Sequence, residues 1–175
     1  MQESSSLDIL KQKLLDCQAV KFGNFTLTSG KKSKFYVDMK LASTDPEILQ
    51  CIAKEFAKHI SKDVDFIAGM ELGAVPLAVA LSLETGIPYS MIRKSVRKHG
   101  TGSRIEGPSV GKAVLVDDVA TTGGSNIESL ESLIEEGVDV LQVMVVVDRE
   151  EGAAEKITPF DLDYISLIKI SDLVG

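Results

Sequence analysis

The chain has 175 residues, of which 44% are hydrophobic and 26% charged, and its formal net charge is −7. This length and composition predict a soluble globular domain and exclude a disordered tail. The negative charge argues against nucleic acid as the main partner, because surfaces that bind nucleic acid are usually basic. A small anionic ligand needs only local positive charge and stays possible.

Membrane and targeting signals are missing from the sequence pattern. No apolar run approaches the roughly 18 residues of a membrane span, and the polar segment Met1–Ser6 lacks the layout of a signal peptide. Cys17 and Cys51 fall in helix-like segments without metal-ligand spacing. They are interpreted as reduced thiols of a cytoplasmic protein that has no membrane partner.

The N-terminal part combines helical and extended patterns. Apolar residues at helical spacing predict a first helix over about residues 6–20. Short strands are predicted at Phe25–Leu27 and Phe35–Leu41, on either side of the turn Thr28–Lys31. A second helix should begin near Pro46, since proline is favoured in a first turn.

Strands and helices alternate in the rest of the chain. Strands are predicted at Val64–Ala68, Pro88–Ile92, Ala113–Val116, Val138–Val147 and Tyr164–Ile168, and helices at Gly73–Glu84 and Ser125–Glu136. Uninterrupted apolar strands that alternate with helices predict a doubly wound α/β fold with a mostly parallel sheet. We expect one domain over residues 1–175, with a core at about 43–159 and a small N-terminal cap, or hood, built from about 1–42 and 160–175. Ligands of such folds bind at the carboxyl ends of the strands. The strand order does not follow from the sequence.

The most informative stretch begins at such a strand end. After the apolar residues 114–116 come Asp117-Asp118-Val119-Ala120-Thr121-Thr122-Gly123-Gly124-Ser125, and then a predicted helix. The glycines allow backbone N–H groups to turn inward, and a helix N-terminus favours a phosphate. Carboxylates only accept hydrogen bonds, so they suit the vicinal hydroxyls of a ribose. Acidic pairs and glycine pairs also end strands without any function, but this complete order indicates a site for a ribose phosphate.

This stretch resembles the phosphoribosyl diphosphate-binding motif of the type I phosphoribosyltransferases. The resemblance implies that the carboxylates of Asp117 and Asp118 hold the ribose hydroxyls and take part in catalysis. It also implies that the segment from Val119 and Ala120 through Thr121, Thr122, Gly123 and Gly124 to Ser125 binds the same substrate, with the 5′-phosphate on its backbone. The motif indicates the donor but not the acceptor base.

A basic segment precedes the motif. Residues 93–104 contain Arg93, Lys94, Arg97, Lys98, His99 and Arg104, and no acidic residue. Charge runs are usually solvated surface, whereas a long loop in a small domain is often a lid or binding loop. The segment is similar to the catalytic loop of the orotate phosphoribosyltransferase family. That resemblance implies that Arg93, Lys94, Arg97 and His99 bind phosphoribosyl diphosphate, with Arg97 and His99 catalytic.

The family's loop largely reaches into the site of the neighbouring subunit, so the resemblance also implies a homodimer with shared active sites. The family usually has lysine where Arg97 stands. Arginine keeps the charge but not the geometry or the adaptable pKa of lysine. Lys98 is an alternative for that role.

The strand end Asp148-Arg149-Glu150-Glu151-Gly152 resembles the family's orotate-binding segment. A guanidinium pairs with a carboxylate through two parallel charged hydrogen bonds, and orotate carries a carboxylate. The resemblance implies that Arg149 and Thr121 bind orotate. The alternative is an arginine that only forms a salt bridge with Asp148 or Glu150.

Two further segments depart from the family pattern. Many members have Tyr-Lys in the pyrophosphate loop where this chain has Leu72-Gly73, and a lysine at the position of Thr28. We expect a pyrophosphate contact here to use the backbone, with Lys31 or Lys32 compensating for Thr28.

The expected activity is transfer of phosphoribosyl from phosphoribosyl diphosphate to orotate, with release of pyrophosphate. The resemblance implies Mg²⁺ as cofactor, carried by the substrate and without direct protein ligands. Two other functions stay open: salvage of a purine or uracil, and a regulator that senses phosphoribosyl diphosphate without catalysis. A regulator should add a DNA-binding module, and the N-terminal segment is a single predicted helix.

Overall fold

The computed structural model describes residues 5–26, 32–94 and 103–173, and all elements named here lie in these ranges. The helices are α1 Ser6–Asp16, α2 Lys40–Ser43, α3 Pro46–Ala57, α4 Val75–Thr85, α5 Gly124–Glu135 and α6 Ala153–Ile157. The strands are β1 Val20–Thr26, β2 Lys32–Val37, β3 Phe66–Met70, β4 Tyr89–Ile92, β5 Ile105–Glu106, β6 Lys112–Ala120, β7 Asp139–Asp148 and β8 Asp163–Lys169.

The central sheet of the described residues has the strand order β5-β4-β3-β6-β7-β8. Neighbouring strands run parallel from β4 to β8, and β5 pairs antiparallel with β4. The carboxyl ends of the parallel strands therefore meet at one edge of the sheet, which is where ligands of such sheets bind.

Helices cover both faces of this sheet. Ile67, Val114 and Met144 point to a core shared with α1, α3 and α4. Their neighbours Phe66 and Leu115 point to the opposite core, which α5 and α6 complete. Because side chains alternate across a strand, a strand buried on both faces has no polar positions, and β3 is buried throughout. The expected doubly wound α/β fold is confirmed.

The N-terminal segment differs in detail from its prediction. Helix α1 ends at Asp16 rather than near residue 20, because Val20 already pairs with Val37 in a separate antiparallel hairpin of β1 and β2. Both strands of this hairpin begin earlier than predicted, and β2 ends at Val37. The predicted turn Thr28–Lys31 lies outside the described residues.

Two other differences concern the central sheet. Strand β6 continues to Ala120 rather than ending at Val116, since its pairing with β7 extends to Ala120 and Asp148. Strand β8 pairs with β7 as the edge of the central sheet. Residues 163–169 therefore belong to the core sheet, although the sequence analysis assigned them to the cap.

Candidate functional site

Two adjacent carboxylates stand at the end of β6. Oδ1 of Asp117 accepts a hydrogen bond from the N–H of Asp118 at 2.9 Å, and Oδ1 of Asp118 accepts one from the N–H of Val119 at 2.8 Å. Both side chains line a cavity of about 380 Å³. The local backbone thus fixes one oxygen of each carboxylate.

The two carboxylates differ in their electrostatic surroundings. Burial and the neighbouring charge of Asp118 raise the pKa of Asp117 to about 7. Burial favours the neutral form of an acid, and a second carboxylate adds repulsion. The side-chain amide of Asn126 opposes this effect, because its Nδ2 donates to Oδ2 of Asp117 at 2.8 Å. Asp117 is therefore poised to change its charge near neutral pH.

The segment after β3 also lines the cavity. Its lining residues are Glu71, Leu72 and Gly73. A Cβ atom on Gly73 would lie only 2.6 Å from Oδ2 of Asp118. Since real Cβ atoms do not approach an oxygen so closely, the absence of a side chain at Gly73 permits the observed position of Asp118.

The start of α5 provides an open helix N-terminus beside the carboxylates. Gly123 precedes the helix with φ +77°, in the left-handed region, and no side chain caps the helix there. The first N–H groups of a helix have no partner within it, and the helix dipole adds positive potential. Ser125, in the first turn, lines the cavity. This arrangement can bind a phosphate group.

The basic loop is described only at its two ends. Lys94 lines the cavity, and its backbone N–H donates to Oε1 of Glu71 at 2.7 Å. Nη1 of Arg93 lies 3.6 Å from Oε1 of Glu106. Arg104, counted among the positive charges of the loop, forms an ion pair with Glu128 at 2.8 Å. Arg97 and His99, together with Lys98, lie outside the described residues.

Arg149 follows β7 and is almost completely buried, with 9% of its side chain exposed. Its N–H donates to the carbonyl of Ala120 at 2.9 Å, which places it beside Thr121. Its guanidinium carbon lies 4.9 Å from the centre of the Phe35 ring on β2, within the range of a cation–π contact. Arg149 does not line the 380 Å³ cavity itself.

Arg149 forms a salt bridge in the structure, but with a partner other than the two that the sequence suggested. Asp148 accepts a hydrogen bond from the Tyr164 hydroxyl at 2.9 Å, and Glu150 accepts one from the N–H of Ser171. Neither is the salt-bridge partner of Arg149, whose Nη2 lies 2.7 Å from Oε1 of Glu151. Among the described residues, Nε and Nη2 of Arg149 still donate no well-directed hydrogen bond.

Three residues of this region were missed by the sequence analysis. Asn126 lies directly after the recognised motif. Glu71 precedes Leu72-Gly73 in the segment compared with the pyrophosphate loop, but no role was predicted for it, and Phe35 was predicted only as part of a strand. The position of Asn126 next to the motif was the one available clue to its role. Glu71 and Phe35 make contacts with parts of the chain that are far from them in sequence. A local sequence pattern therefore cannot predict these contacts.

No helix in the described part of the chain is long and apolar enough to cross a membrane. Within the same ranges, no three side chains of His, Cys, Asp or Glu stand together as metal ligands would.

Comparison with known sequences places this site in a family. Residues 44–170 match the phosphoribosyl transferase domain. The orotate phosphoribosyltransferase of Methanosarcina mazei is 49% identical over 161 residues, which cover 90% of this chain and 86% of the relative. The orotate phosphoribosyltransferase of Pyrococcus horikoshii is 47% identical, with 95% and 92% of the two chains covered.

Solved structures agree with these sequences. Mycobacterium tuberculosis orotate phosphoribosyltransferase, in complex with Fe(III) dicitrate, superposes with a TM-score of 0.85 at 31% identity and covers 97% of this chain and 99% of its own. The same enzyme in complex with phosphoribosyl diphosphate gives a TM-score of 0.82 at 28% identity, with 98% and 100% covered. With the strand-end carboxylates and the buried arginine, these matches show that the chain belongs to the phosphoribosyltransferases, and among them to the orotate phosphoribosyltransferase family.

Proposed function

We propose that this protein transfers the 5-phosphoribosyl group of phosphoribosyl diphosphate to orotate, forming orotidine 5′-phosphate and pyrophosphate in pyrimidine biosynthesis. The observation that carries the proposal is the buried guanidinium of Arg149. Nε and Nη2 are the two nitrogens that bind a carboxylate side-on. Nε has no acceptor among the described residues, and Nη2 lies 2.7 Å from Glu151 without a well-directed hydrogen bond. The backbone N–H of Arg149 donates to the carbonyl of Ala120, inside the ribose phosphate motif.

The donor substrate fits the cavity at the end of β6. In both Asp117 and Asp118, one carboxylate oxygen accepts the backbone N–H of the next residue and the other oxygen does not. Carboxylates accept hydrogen bonds from ribose hydroxyls. The 5′-phosphate would lie on the backbone of Thr121 to Ser125, at the uncapped start of α5. These two contacts hold the sugar from both ends.

The acceptor would lie between the core and the hairpin. The orotate carboxylate pairs with the side-on edge of Arg149, in place of or beside Glu151. Phe35 covers the guanidinium from the hairpin side. The backbone bond from Arg149 to Ala120 brings the backbone of Thr121 close to that of Arg149, and we propose that Thr121 also binds orotate. A buried guanidinium has few water molecules to lose, so a planar anion can bind it strongly.

The reaction is a displacement at the anomeric carbon of the ribose. The bond from this carbon to the diphosphate oxygen breaks with both electrons on oxygen, and a bond to N1 of orotate forms. The proton of N1 leaves as this bond forms and passes, directly or through water, to the departing pyrophosphate. Positive charge develops on the ribose, where Asp117 and Asp118 stabilise it, while Lys94 on the cavity wall faces the departing negative charge. Arg93, the neighbour of Lys94 in the chain, is proposed to bind the same diphosphate. We propose that Arg97 and His99, in the same loop, also bind phosphoribosyl diphosphate and act in catalysis.

We propose Mg²⁺ as the cofactor, carried by the diphosphate of the substrate. Asp117 and Asp118 at the end of β6 would help to hold it there without direct coordination. The donor set fits, because carboxylate oxygens and water are ligands that Mg²⁺ prefers. When bound, the ion supplies neutralisation of the pyrophosphate charge.

Two other functions are less well supported. A salvage enzyme for uracil or a purine has no need of the buried guanidinium of Arg149, whose Nε would be left without an acceptor at a cost in free energy. A regulator that only senses phosphoribosyl diphosphate does not need an acceptor site. Both alternatives predict that orotate is not consumed.

We further propose a homodimer with shared active sites in the cytoplasm. Leucines are unusually exposed on the described surface, with Leu83 at 83%, Leu72 at 81% and Leu41 at 52%. Contact between subunits would remove such apolar side chains from water, which is favourable. Cys17 and Cys51 are both free thiols, which fits a reducing compartment.

The test is the loss of orotate absorbance after addition of phosphoribosyl diphosphate and Mg²⁺ to the purified protein. We expect orotate to be consumed and pyrophosphate released in equal amounts, with no reaction when uracil, adenine or hypoxanthine replaces orotate. Consumption of one of those bases instead of orotate would support salvage, and no consumption of any base would support the regulator.

A further inference from the structure

The two ends of the basic loop leave the sheet from a narrow base. The N–H of Arg93 donates to the carbonyl of Arg104 at 2.8 Å, which continues the antiparallel pairing of β4 with β5. The chain between these residues therefore starts and ends at the same point, beside the carboxyl edge of the central sheet.

The side chain of Arg104 closes this base. Its Nε donates to the carbonyl of Arg93 at 2.8 Å, and its Nη2 donates to the carbonyl of Lys94 at 3.2 Å. The same Nη2 donates to Oε1 of Glu128 on α5 at 2.8 Å. We call this set of contacts the Arg104 clamp. Only 22% of the Arg104 side chain is exposed, so these bonds are partly protected from water.

The clamp acts on a residue of the candidate site. The carbonyl of Lys94 is held by Arg104, while its N–H donates to Glu71 at 2.7 Å. Lys94 and Glu71 both line the cavity that contains Asp117 and Asp118. The backbone of Lys94 is thus fixed from both sides at the cavity wall, by Glu71, which follows β3, and by Arg104, which precedes β5.

The clamp also connects Lys94 to the phosphate-binding helix. Glu128 lies on α5, one turn after Ser125, which lines the cavity at the start of that helix. Through Glu128 and Arg104, the position of α5 and the position of Lys94 are set relative to each other. The 5′-phosphate and the diphosphate lie at opposite ends of the donor substrate, so this distance must match the length of that substrate.

We propose that Arg104 is a positioning residue for the donor substrate, holding Lys94 at the correct distance from the N-terminus of α5. Arg104 does not itself contact substrate, because its guanidinium is committed to Arg93, Lys94 and Glu128. The inference rests on the proposed function, since it takes phosphoribosyl diphosphate as the occupant of the cavity. It assigns Arg104 a role different from that of the other cations in the basic loop.

A purely structural role makes a different prediction. If the Arg104 clamp only stabilised the fold, its loss should affect both substrates equally or neither. A positioning role should instead weaken binding of the donor while leaving binding of the acceptor nearly unaffected, because Arg149 follows β7 and does not line the cavity that contains Lys94. The discriminating quantity is therefore the KM of each substrate, together with kcat.

The experiment compares Arg104→Ala, Arg104→Lys and Glu128→Gln with the wild-type enzyme. Arg104→Ala should raise the KM for phosphoribosyl diphosphate about 10-fold or more, as expected for loss of charged hydrogen bonds, with the KM for orotate changed less than about 2-fold. Arg104→Lys should recover only part, because an ammonium lacks the planar fork. Glu128→Gln keeps both carbonyl bonds and should have the smallest effect. Lys13→Ala, which removes a surface ion pair between α1 and α3 at 2.9 Å, is the matched control.

Calorimetric titration of phosphoribosyl diphosphate with Mg²⁺ into each variant provides a readout that does not need turnover, and thermal unfolding verifies the fold. If Arg104→Ala is poorly folded, the donor KM values of Arg104→Lys and Glu128→Gln still test the contacts of the Arg104 clamp. Unchanged donor KM and affinity in folded Arg104→Ala would overturn the positioning role, as would an equal rise in both KM values. An inactive wild type would instead defeat the proposed function.

Discussion

The side-chain amide of Asn126 donates a hydrogen bond to Oδ2 of Asp117 at 2.8 Å, across the loop that joins β6 to α5. Asn126 is 1% exposed, and its Oδ1 has no partner among the described residues. An amide offers both a donor and an acceptor. By rotating its amide, Asn126 can therefore serve Asp117 in the charged form as a donor or in the protonated form as an acceptor.

The first prediction concerns pH. The donor bond from Asn126 favours the charged form of Asp117, whose pKa burial and Asp118 raise to about 7. We expect kcat/KM for phosphoribosyl diphosphate to fall as pH drops through about 7, and Asn126→Ala to move this limb to higher pH. Ser132→Ala, at another buried polar position of α5, is the control. An identical pH limb in wild type and Asn126→Ala would argue against the role of Asn126.

The same raised pKa predicts how stability depends on pH. Asp117 has an ordinary pKa of about 3.9 when unfolded and about 7 when folded. Between these values the folded protein binds more protons, so the contribution of Asp117 to the unfolding free energy decreases as pH rises from about 4 to about 7. Urea unfolding at pH 5 and pH 8 should show this decrease in wild type and lose it in Asp117→Asn. A decrease of equal size in the variant would mean that other groups cause it.

Replacing the strand-end carboxylates should affect turnover much more than folding. Asp117→Asn and Asp118→Asn keep the size of the side chain and its ability to accept the neighbouring backbone N–H, but remove the charge that stabilises the ribose. We expect kcat to fall about 100-fold or more, with a thermal midpoint close to that of the wild type. Near-normal activity in both variants would refute the ribose site.

Gly73 should be required for activity because of its distance from Asp118. A Cβ at this position would lie 2.6 Å from Oδ2 and 3.1 Å from Cγ of Asp118, so Gly73→Ala must rotate that carboxylate away from the ribose. We expect kcat/KM for the donor to fall about 10- to 100-fold, with the KM for orotate nearly constant. In the double variant with Asp118→Asn, the two losses should be less than additive. Additive losses would show that Gly73 acts elsewhere.

Arg149 should determine the choice of acceptor. Arg149→Ala should reduce orotate use about 10- to 200-fold, the range for losing charged hydrogen bonds, while donor binding stays close to that of the wild type. Arg149→Lys should restore only part, since an ammonium cannot form two parallel bonds. The measurement is the ratio of kcat/KM for orotate to that for uracil. If Arg149→Ala leaves this ratio unchanged, the guanidinium serves only its pairing with Glu151.

The proposed dimer can be tested by mixing inactive variants. If the basic loop of one protomer acts in the site of its partner, an Asp118→Asn chain and an Arg97→Ala chain should form hybrids with one intact site. We expect activity to reappear after subunit exchange. No recovery, with exchange verified by a tagged chain, would argue against shared sites.

The sequence predicted the central architecture because buried parallel strands produce long apolar runs. Helix α5 and strand β3 lie within two residues of their predicted bounds. The hairpin was predicted less well, since β1 has only one buried residue and a bulge between Phe22 and Phe25. An exposed, irregular strand carries little hydrophobic pattern.

The sequence predicted which residues form the site, but not which of their side chains contact one another. The motif Asp117–Ser125 could be recognised in the sequence because it is one continuous segment, formed by the end of one strand and the start of one helix. The pairing of Arg149 with Glu151 and of Arg104 with Glu128 depends on side-chain conformations that a sequence pattern does not specify. For that reason Arg104 was grouped with the other positive charges of the basic loop. In the structure its guanidinium instead holds the two ends of that loop together.

Phe35 has a consequence for how this enzyme can change over time. It contacts Arg149 from β2, yet the hairpin of β1 and β2 shares no strand pairing with the central sheet in the described residues. Substitutions on the hairpin can therefore reshape the acceptor side without disturbing the backbone that carries Asp117 and Asp118. New base preferences can thus arise by exchange of this short hairpin, with the chemistry at the anomeric carbon inherited unchanged.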